Sequence, residues 1–184
     1  MRIIAGDMKG RQLKSVPGKK TRPTSDKIKE SIFQIIGPFF NGGICLDLFA
    51  GSGSLGLEAL SRGMEKAIFI DKNRQAIHTI HKNISTLNLE NRTEVFQNYA
   101  ERALNILKKR KMQFDIIFID PPYENTVYEY ILDKIARLNL IKLGGVIYCE
   151  HEAKKVITVN LKLYKRLKHE IYGQTTAITI FERL

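Results

Sequence analysis

Five short apolar runs recur along the chain, most of them closing on a polar or acidic residue: ICLDLFA (44–50), AIFID (67–71), TEVFQN (93–98), FDIIFID (114–120) and GVIYCE (145–150). Segments with helical spacing separate them, at 54–62, 73–87, 100–110 and 126–139. The end residues Asp47, Asp71, Asn98 and Asp120 fall 24, 27 and 22 positions apart. Strand, helix and strand at that interval make a series of βα units. A parallel sheet with helices on both faces is therefore expected.

The two ends break this rhythm. YKRLKHEIYG and TTAITIFERL alternate like strands and meet near Gly173-Gln174, so they are expected as an antiparallel pair on one edge of the sheet. That brings the strand count to seven. At the start, RIIAG and RQLKSV flank the turn-like DMKG, which predicts a small basic hairpin outside the sheet. TRPTSDKIKESIFQIIG then opens a helix, with Thr24 or Ser25 as candidate N-cap. Ile28, Ile32, Ile35 and Ile36 read as its apolar stripe, stopping at Gly37-Pro38.

A chain of 184 residues favours one domain with a small appendage, and 43% hydrophobic content is enough for a core. No apolar run approaches the ~20 residues of a membrane helix, and MRIIAGDMKGRQ has no apolar signal region. Cys45 and Cys149 lie in apolar runs and read as buried thiols of a reducing, cytoplasmic protein. The net charge is +11. Residues 1–29 hold Arg2, Lys9, Arg11, Lys14, Lys19, Lys20, Arg22, Lys27 and Lys29 against only Asp7 and Asp26. Charge concentrated in this way favours a polyanion-binding surface over general solubility, with nucleic acid the first candidate.

LDLFAGSGSLGLEALSRG (46–63) reads as strand, tight glycine turn and helix. It lacks the Gly-Lys-Ser/Thr of a P-loop, which disfavours nucleotide hydrolysis. GSGSLG does match the dinucleotide pattern at Gly51, Gly53 and Gly56. Asp47, four residues before the first glycine, would repel a pyrophosphate and suits a cationic or amine-bearing ligand better. Asp71, at the end of the next strand, can take ribose hydroxyls in either case; the plainer role for it is a helix N-cap. At Asp120-Pro121-Pro122-Tyr123 the prolines must end the strand. An acid, a stiffened backbone and a ring are thus held together, either as a plain terminator or as a chemical site.

DLFAGSG followed several strands later by DPPY resembles the class I methyltransferases that use S-adenosylmethionine. That resemblance implies a Rossmann-like fold. It also implies a cofactor held by Asp47, Phe49, Ala50, Gly51, Ser52 and Gly53, by Asp71 and Lys72 at the ribose, and by Asn98 and Tyr99 at the adenine. Asn98 departs from the Asp that many relatives carry. In such enzymes the DPPY type of motif serves methylation of an exocyclic amine or a glutamine amide. The amine's lone pair is delocalised into its ring. Hydrogen bonds to Asp120 and the Pro121 carbonyl would favour a more tetrahedral nitrogen. Pro122 would leave that carbonyl free for the task, and Tyr123 would stack on the flipped base.

RIIAGDMKGRQL, RPTSDKIKESIF and DLFAGSGSLGLEALSRG together resemble the bacterial family that methylates the N2 amino group of one guanine in 16S ribosomal RNA. The resemblance weakens after about residue 150. It implies a small-subunit RNA, in an assembled or nearly assembled particle, as substrate. Residues 1–25 would be a basic RNA-contacting hairpin, and 26–184 the methyltransferase domain. Arg2, Lys9, Arg11, Arg22 and Thr24 would contact RNA, Arg22 and Thr24 alternatively lying near the cofactor. Three other readings stay open: a DNA adenine-N6 or cytosine-N4 methyltransferase, a protein glutamine methyltransferase, and a non-catalytic RNA-binding assembly factor.

No metal site is expected. His78 and His81 have no third ligand and read as surface residues. EHE (150–152) reads as a strand end with solvated charges, and KKRK (108–111) as the solvated end of a helix. Phe39, Phe40, Phe49 and Phe69 read as core or pocket walls.

Overall fold

Each apolar run is a strand in the computed structural model, which describes residues 1–18, 26–122 and 128–184. The strands are β1 (Ile44–Asp47), β2 (Lys66–Asp71), β3 (Thr93–Gln97), β4 (Phe114–Ile119), β5 (Ile141–Glu152), β6 (Tyr164–Tyr172) and β7 (Thr176–Arg183). The helices are α1 (Asp26–Ile36), α2 (Ser54–Ser61), α3 (Arg74–Leu87), α4 (Ala100–Lys109) and α5 (Tyr128–Arg137). The sheet order is β3-β2-β1-β4-β5-β7-β6. β1 to β5 are parallel, whereas β7 runs antiparallel to both β5 and β6. The expected seven-stranded α/β sheet with an antiparallel C-terminal pair is present. The strand order reverses between β1 and β4, and ligands of open parallel sheets bind at such a point, beyond the carboxyl ends of the strands.

Alternation along the strands divides the core in two. One face of the sheet carries Cys45, Phe69, Phe118 and Tyr148, which pack with α1, α2 and α3 through Phe33, Leu57 and Ile80. The other carries Leu46, Ile68, Ile117 and Ile147, which pack with α4 and α5 through Leu104 and Ile131. Asp47, Asp71, Asp120 and Glu150 each lie two residues beyond a member of the first set. The period of two therefore sends all four acids to the same face, at the carboxyl edge.

Four expectations need correction or extension. In α1 the buried residues are Lys29, Ile32, Phe33 and Ile36, while Ile35 is 36% exposed. The stripe was read from isoleucines alone, and Phe33 completes the inward face. Phe39 is exposed and walls nothing, because it follows Gly37-Pro38 in the turn that leaves α1. β5 begins four residues earlier than its apolar run, with Lys142 to Gly144 exposed. Glu150 and His151 are buried, not solvated. His151 Nε2 lies 2.8 Å from Thr179 Oγ1 of the neighbouring β7, and Tyr148 Oη, two residues back on β5, donates to Glu150 Oε2 at 2.9 Å. Burial holds the His151 imidazole below its ordinary pKa, so it favours the neutral ring.

The N-terminal hairpin forms around one bridge, Arg2 with Gln12, closed by Ile3 N donating to Arg11 O at 3.0 Å. Its docking rests on polar groups buried in α2 and α3. Glu58, fully buried, accepts from Ile4 N at 2.8 Å and Ala5 N at 3.0 Å. It also meets Lys29 Nζ at 3.2 Å and Arg62 Nε at 2.8 Å. Lys29 in turn donates to Arg2 O at 2.7 Å. A carboxylate inside the core is tolerable only with such partners. Gly6 approaches so closely that a Cβ there would lie 1.8 Å from Ser61 O.

Candidate active site

The loop between β1 and α2 is held at every step. Leu48 N donates to Phe118 O of β4 (3.1 Å) and Ala50 N to Ile70 O of β2 (2.9 Å). Gly53 sits at the N-cap of α2 with φ 79°, a left-handed conformation that glycine adopts without strain, and has no side chain of its own to cap the helix. The first N–H groups of α2 therefore face the loop. Gly56 lies so close to the Phe69 ring that a Cβ would meet it at 2.4 Å. Its smallness lets α2 settle onto β2. Nothing lies within 4 Å of the direction a Cβ would take at Gly51. The loop backbone is thus open to a ligand there.

Two carboxylates brace this loop. Asp47 is buried, and its Oδ2 accepts from Gly56 N at 3.2 Å. Burial raises its pKa to about 7, partly offset by that hydrogen bond, and the nearby Asp71 pushes it further up. Asp71 Oδ2 accepts from Gly51 N at 2.9 Å and its Oδ1 from Asn73 N at 2.8 Å. The N-cap of α3 is Asn73, whose side chain accepts from Gln75 N and Ala76 N, so capping is not the role of Asp71. A buried carboxyl with a raised pKa, beside a second acid, favours a cation over a phosphate.

Next along the edge, Asn98 N donates to Asp71 O at 3.0 Å and Asn98 Oδ1 accepts from Tyr99 N at 2.9 Å. Tyr99 is 59% exposed, with Lys72 Nζ 5.9 Å and Arg102 Cζ 5.7 Å from its ring centre. Lys72, Asn98, Tyr99 and Arg102 line a cleft of about 200 Å³. Arg102 escaped the sequence reading, since nothing in its spacing set it apart from other helix-surface cations. Phe49 is half-buried against the second core, and Ala50 is buried in the first. Ser52 Oγ points to Met1 Sδ at 3.7 Å.

On the other side of the switch point, Asp120 and Pro121 follow β4 directly. β1 and β4 pair with Asp47 opposite Phe118, so Asp120 stands one period further out on the face that carries Asp47. β4 and β5 pair with Ile119 opposite Cys149, which brings Asp120 beside Glu150 on adjacent strands. Both carboxylates, together with burial, hold the Tyr148 phenol protonated, with burial the largest cause. Glu150 is thus a second acid at this corner, hidden from the sequence reading because it was taken for a solvated strand end. Pro121 is buried and Pro122 exposed. Tyr123, Arg22 and Thr24 lie outside the described residues. Among the described residues no group of His, Cys, Asp and Glu could hold a metal, and no helix is long and apolar enough to cross a membrane.

The sheet order, the antiparallel β7 and the glycine loop after β1 are those of a Rossmann-like methyltransferase fold. A solved Escherichia coli structure described as "Putative methyltransferase yhhF" superposes with a TM-score of 0.84 at 32% identity, over 100% of this chain and 97% of that one. The profile of the family described as "Conserved hypothetical protein 95" matches residues 1–181, and the chain belongs to that family. It is 45% identical over 183 residues to the Bacillus subtilis protein named "Putative rRNA methyltransferase YlbH", covering 100% of this chain and 99% of that one. It is 36% identical over 157 residues to "Ribosomal RNA small subunit methyltransferase D" of Haemophilus influenzae, covering 84% and 80% of the two chains.

Proposed function

We propose that the protein transfers a methyl group from S-adenosylmethionine to the exocyclic N2 amine of a guanine in small-subunit ribosomal RNA. The observation that carries this reading is the shared face: Asp120-Pro121-Pro122 leaves β4 beside the glycine loop, across the switch point from Asp47 and Asp71. An amine held at the first would lie next to a cofactor held at the second. The ribosomal substrate rests on the names of the relatives at 45% and 36% identity.

The residues fit that cofactor. Asp47 suits an ammonium or sulfonium, Asp71 retains acceptor capacity for ribose hydroxyls, and the exposed Tyr99 ring offers a face to the adenine. Bound there, S-adenosylmethionine supplies an electrophilic methyl group. The chain supplies orientation. Asp120 and the Pro121 carbonyl accept the two amine hydrogens, turn the lone pair outward and fix its direction; most of the rate gain from such a site is positioning. Tyr123 stacks on the extruded base. Asp120 or water takes the proton that the product nitrogen sheds.

Asp120→Ala tests the assignment. It is expected to lower methyl transfer by at least about 100-fold, the scale of losing a positioned proton-accepting group. S-adenosylmethionine affinity, by calorimetric titration, should change less than about threefold. Equal loss of both would move Asp120 into the cofactor site or the fold.

A further inference from the structure

α3 carries Arg74, His78, His81 and Lys82 and no carboxylate. Arg74, His78 and Lys82 follow one another at four-residue steps, so they share a helix face. Opposite runs the last part of the N-terminal arm. Together they enclose a cleft of about 510 Å³, lined on the arm by Lys14, Ser15 and Pro17 and on the helix by Arg74, His78 and Lys82. Arg74 to Lys82 spans about 12 Å of helix axis. Arg11 extends the track, donating Nη2 to Thr86 O at 2.9 Å one turn further on.

Two observations bear on this cleft. Some surface cations are neutralised by a neighbouring acid, as Lys66 and Arg110 are by Glu94, Arg137 by Asp133 and Lys142 by Asp115. Among the described residues no ion pair involves Lys14, Arg74 or Lys82. The cleft is also tied to the glycine loop. Buried Asn83 accepts from Lys14 N (2.8 Å) and donates Nδ2 to Lys14 O (3.0 Å) and to Ser52 O (2.9 Å). One side chain thus joins the wall of the cleft to the loop that would hold the cofactor.

We propose that this cleft binds the phosphate backbone of the substrate RNA beside the target nucleotide, through Lys14, Arg74 and Lys82. The inference rests on the RNA methyltransferase reading above. Several unneutralised cations facing one another across an open groove match a chain of regularly spaced phosphates. Phosphate contacts of this kind set register and orientation and leave sequence to the base pocket.

The test compares the triple variant Lys14→Gln, Arg74→Gln, Lys82→Gln with a charge-matched control on the far edge, Lys162→Gln, Lys165→Gln, Arg166→Gln. Small ribosomal subunits lacking the modification are the ligand, titrated between about 50 and 200 mM salt. The cleft variant is expected to bind about 10–100-fold more weakly at the lower salt. Its log-affinity against log-salt slope should flatten by about two units, from ~0.7–0.9 per lost phosphate contact. Its KM should rise with kcat and S-adenosylmethionine affinity retained, and the control should match the wild type. Wild-type methylation of subunits with an unchanged slope in the cleft variant overturns the inference. An equal loss for duplex DNA would make the cleft a general polyanion groove and overturn its assignment to RNA. No methylation of subunits by the wild type would instead sink the underlying reading.

Discussion

Asp47 is a residue on which folding and the proposed cofactor binding make opposite demands. Its carboxyl titrates at about 7 in the folded chain, against about 3.9 when unfolded. Between those values the folded state binds more protons than the unfolded one, so this group's contribution to stability is full below pH ~4 and is lost as pH rises to ~7. Asp47→Asn keeps an acceptor for Gly56 N and removes the charge. Its stability relative to wild type, from urea unfolding at a series of pH values, should rise between pH 4 and 7 by roughly 2–4 kcal/mol and then level off. A parallel pH course would show that Asp47 ionises as freely as in the unfolded chain. Under the proposed assignment binding makes the reverse demand, because a cationic ligand would need the ionised form. S-adenosylmethionine affinity should therefore increase about fivefold from pH 6 to 7, and Asp47→Asn should remove that slope. These acids were legible in the sequence because each ends an apolar run. The burial of Glu150 was not, because β7, which pairs beside it, lies almost thirty residues further along the chain.

At the scale of elements, the hairpin is built to stay. Glu58→Ala would leave Lys29 and Arg62 buried without their counter-charge and two arm N–H groups without acceptors. A loss of about 3–5 kcal/mol in urea unfolding is expected. Gly6→Ala puts a methyl group into the Ser61 carbonyl at a positive φ of 83°. It should release the arm, seen as faster amide exchange at Ile3 and Leu13, while leaving β4 and β5 protected. Uniform exchange across the chain would mean that the arm and the sheet unfold as one unit. The sequence marked the arm through its turn and its cations, but Lys29 reads as a surface lysine until Glu58, 29 positions away, is beside it. Periodicity reports a face. It does not report which charged residue on that face has found a buried partner.

Across the whole molecule, the order of βα units and the antiparallel ending were legible because burial on both faces writes itself into continuous apolar runs. The elements of the candidate site were legible where a motif was local, at Asp120-Pro121-Pro122 and in the glycine loop. It was not legible where the fold assembled it from separate elements, as with the Asp120–Glu150 pairing and the basic cleft between arm and α3.

Transfer of labelled methyl from S-adenosylmethionine to unmodified small subunits, naked small-subunit RNA and duplex DNA, followed by nuclease digestion, tests the central claim most directly. The account predicts label in the ribosomal RNA, recovered as N2-methylguanine. Label in DNA, or on another base, or none in any nucleic acid while the cofactor is bound, would contradict it.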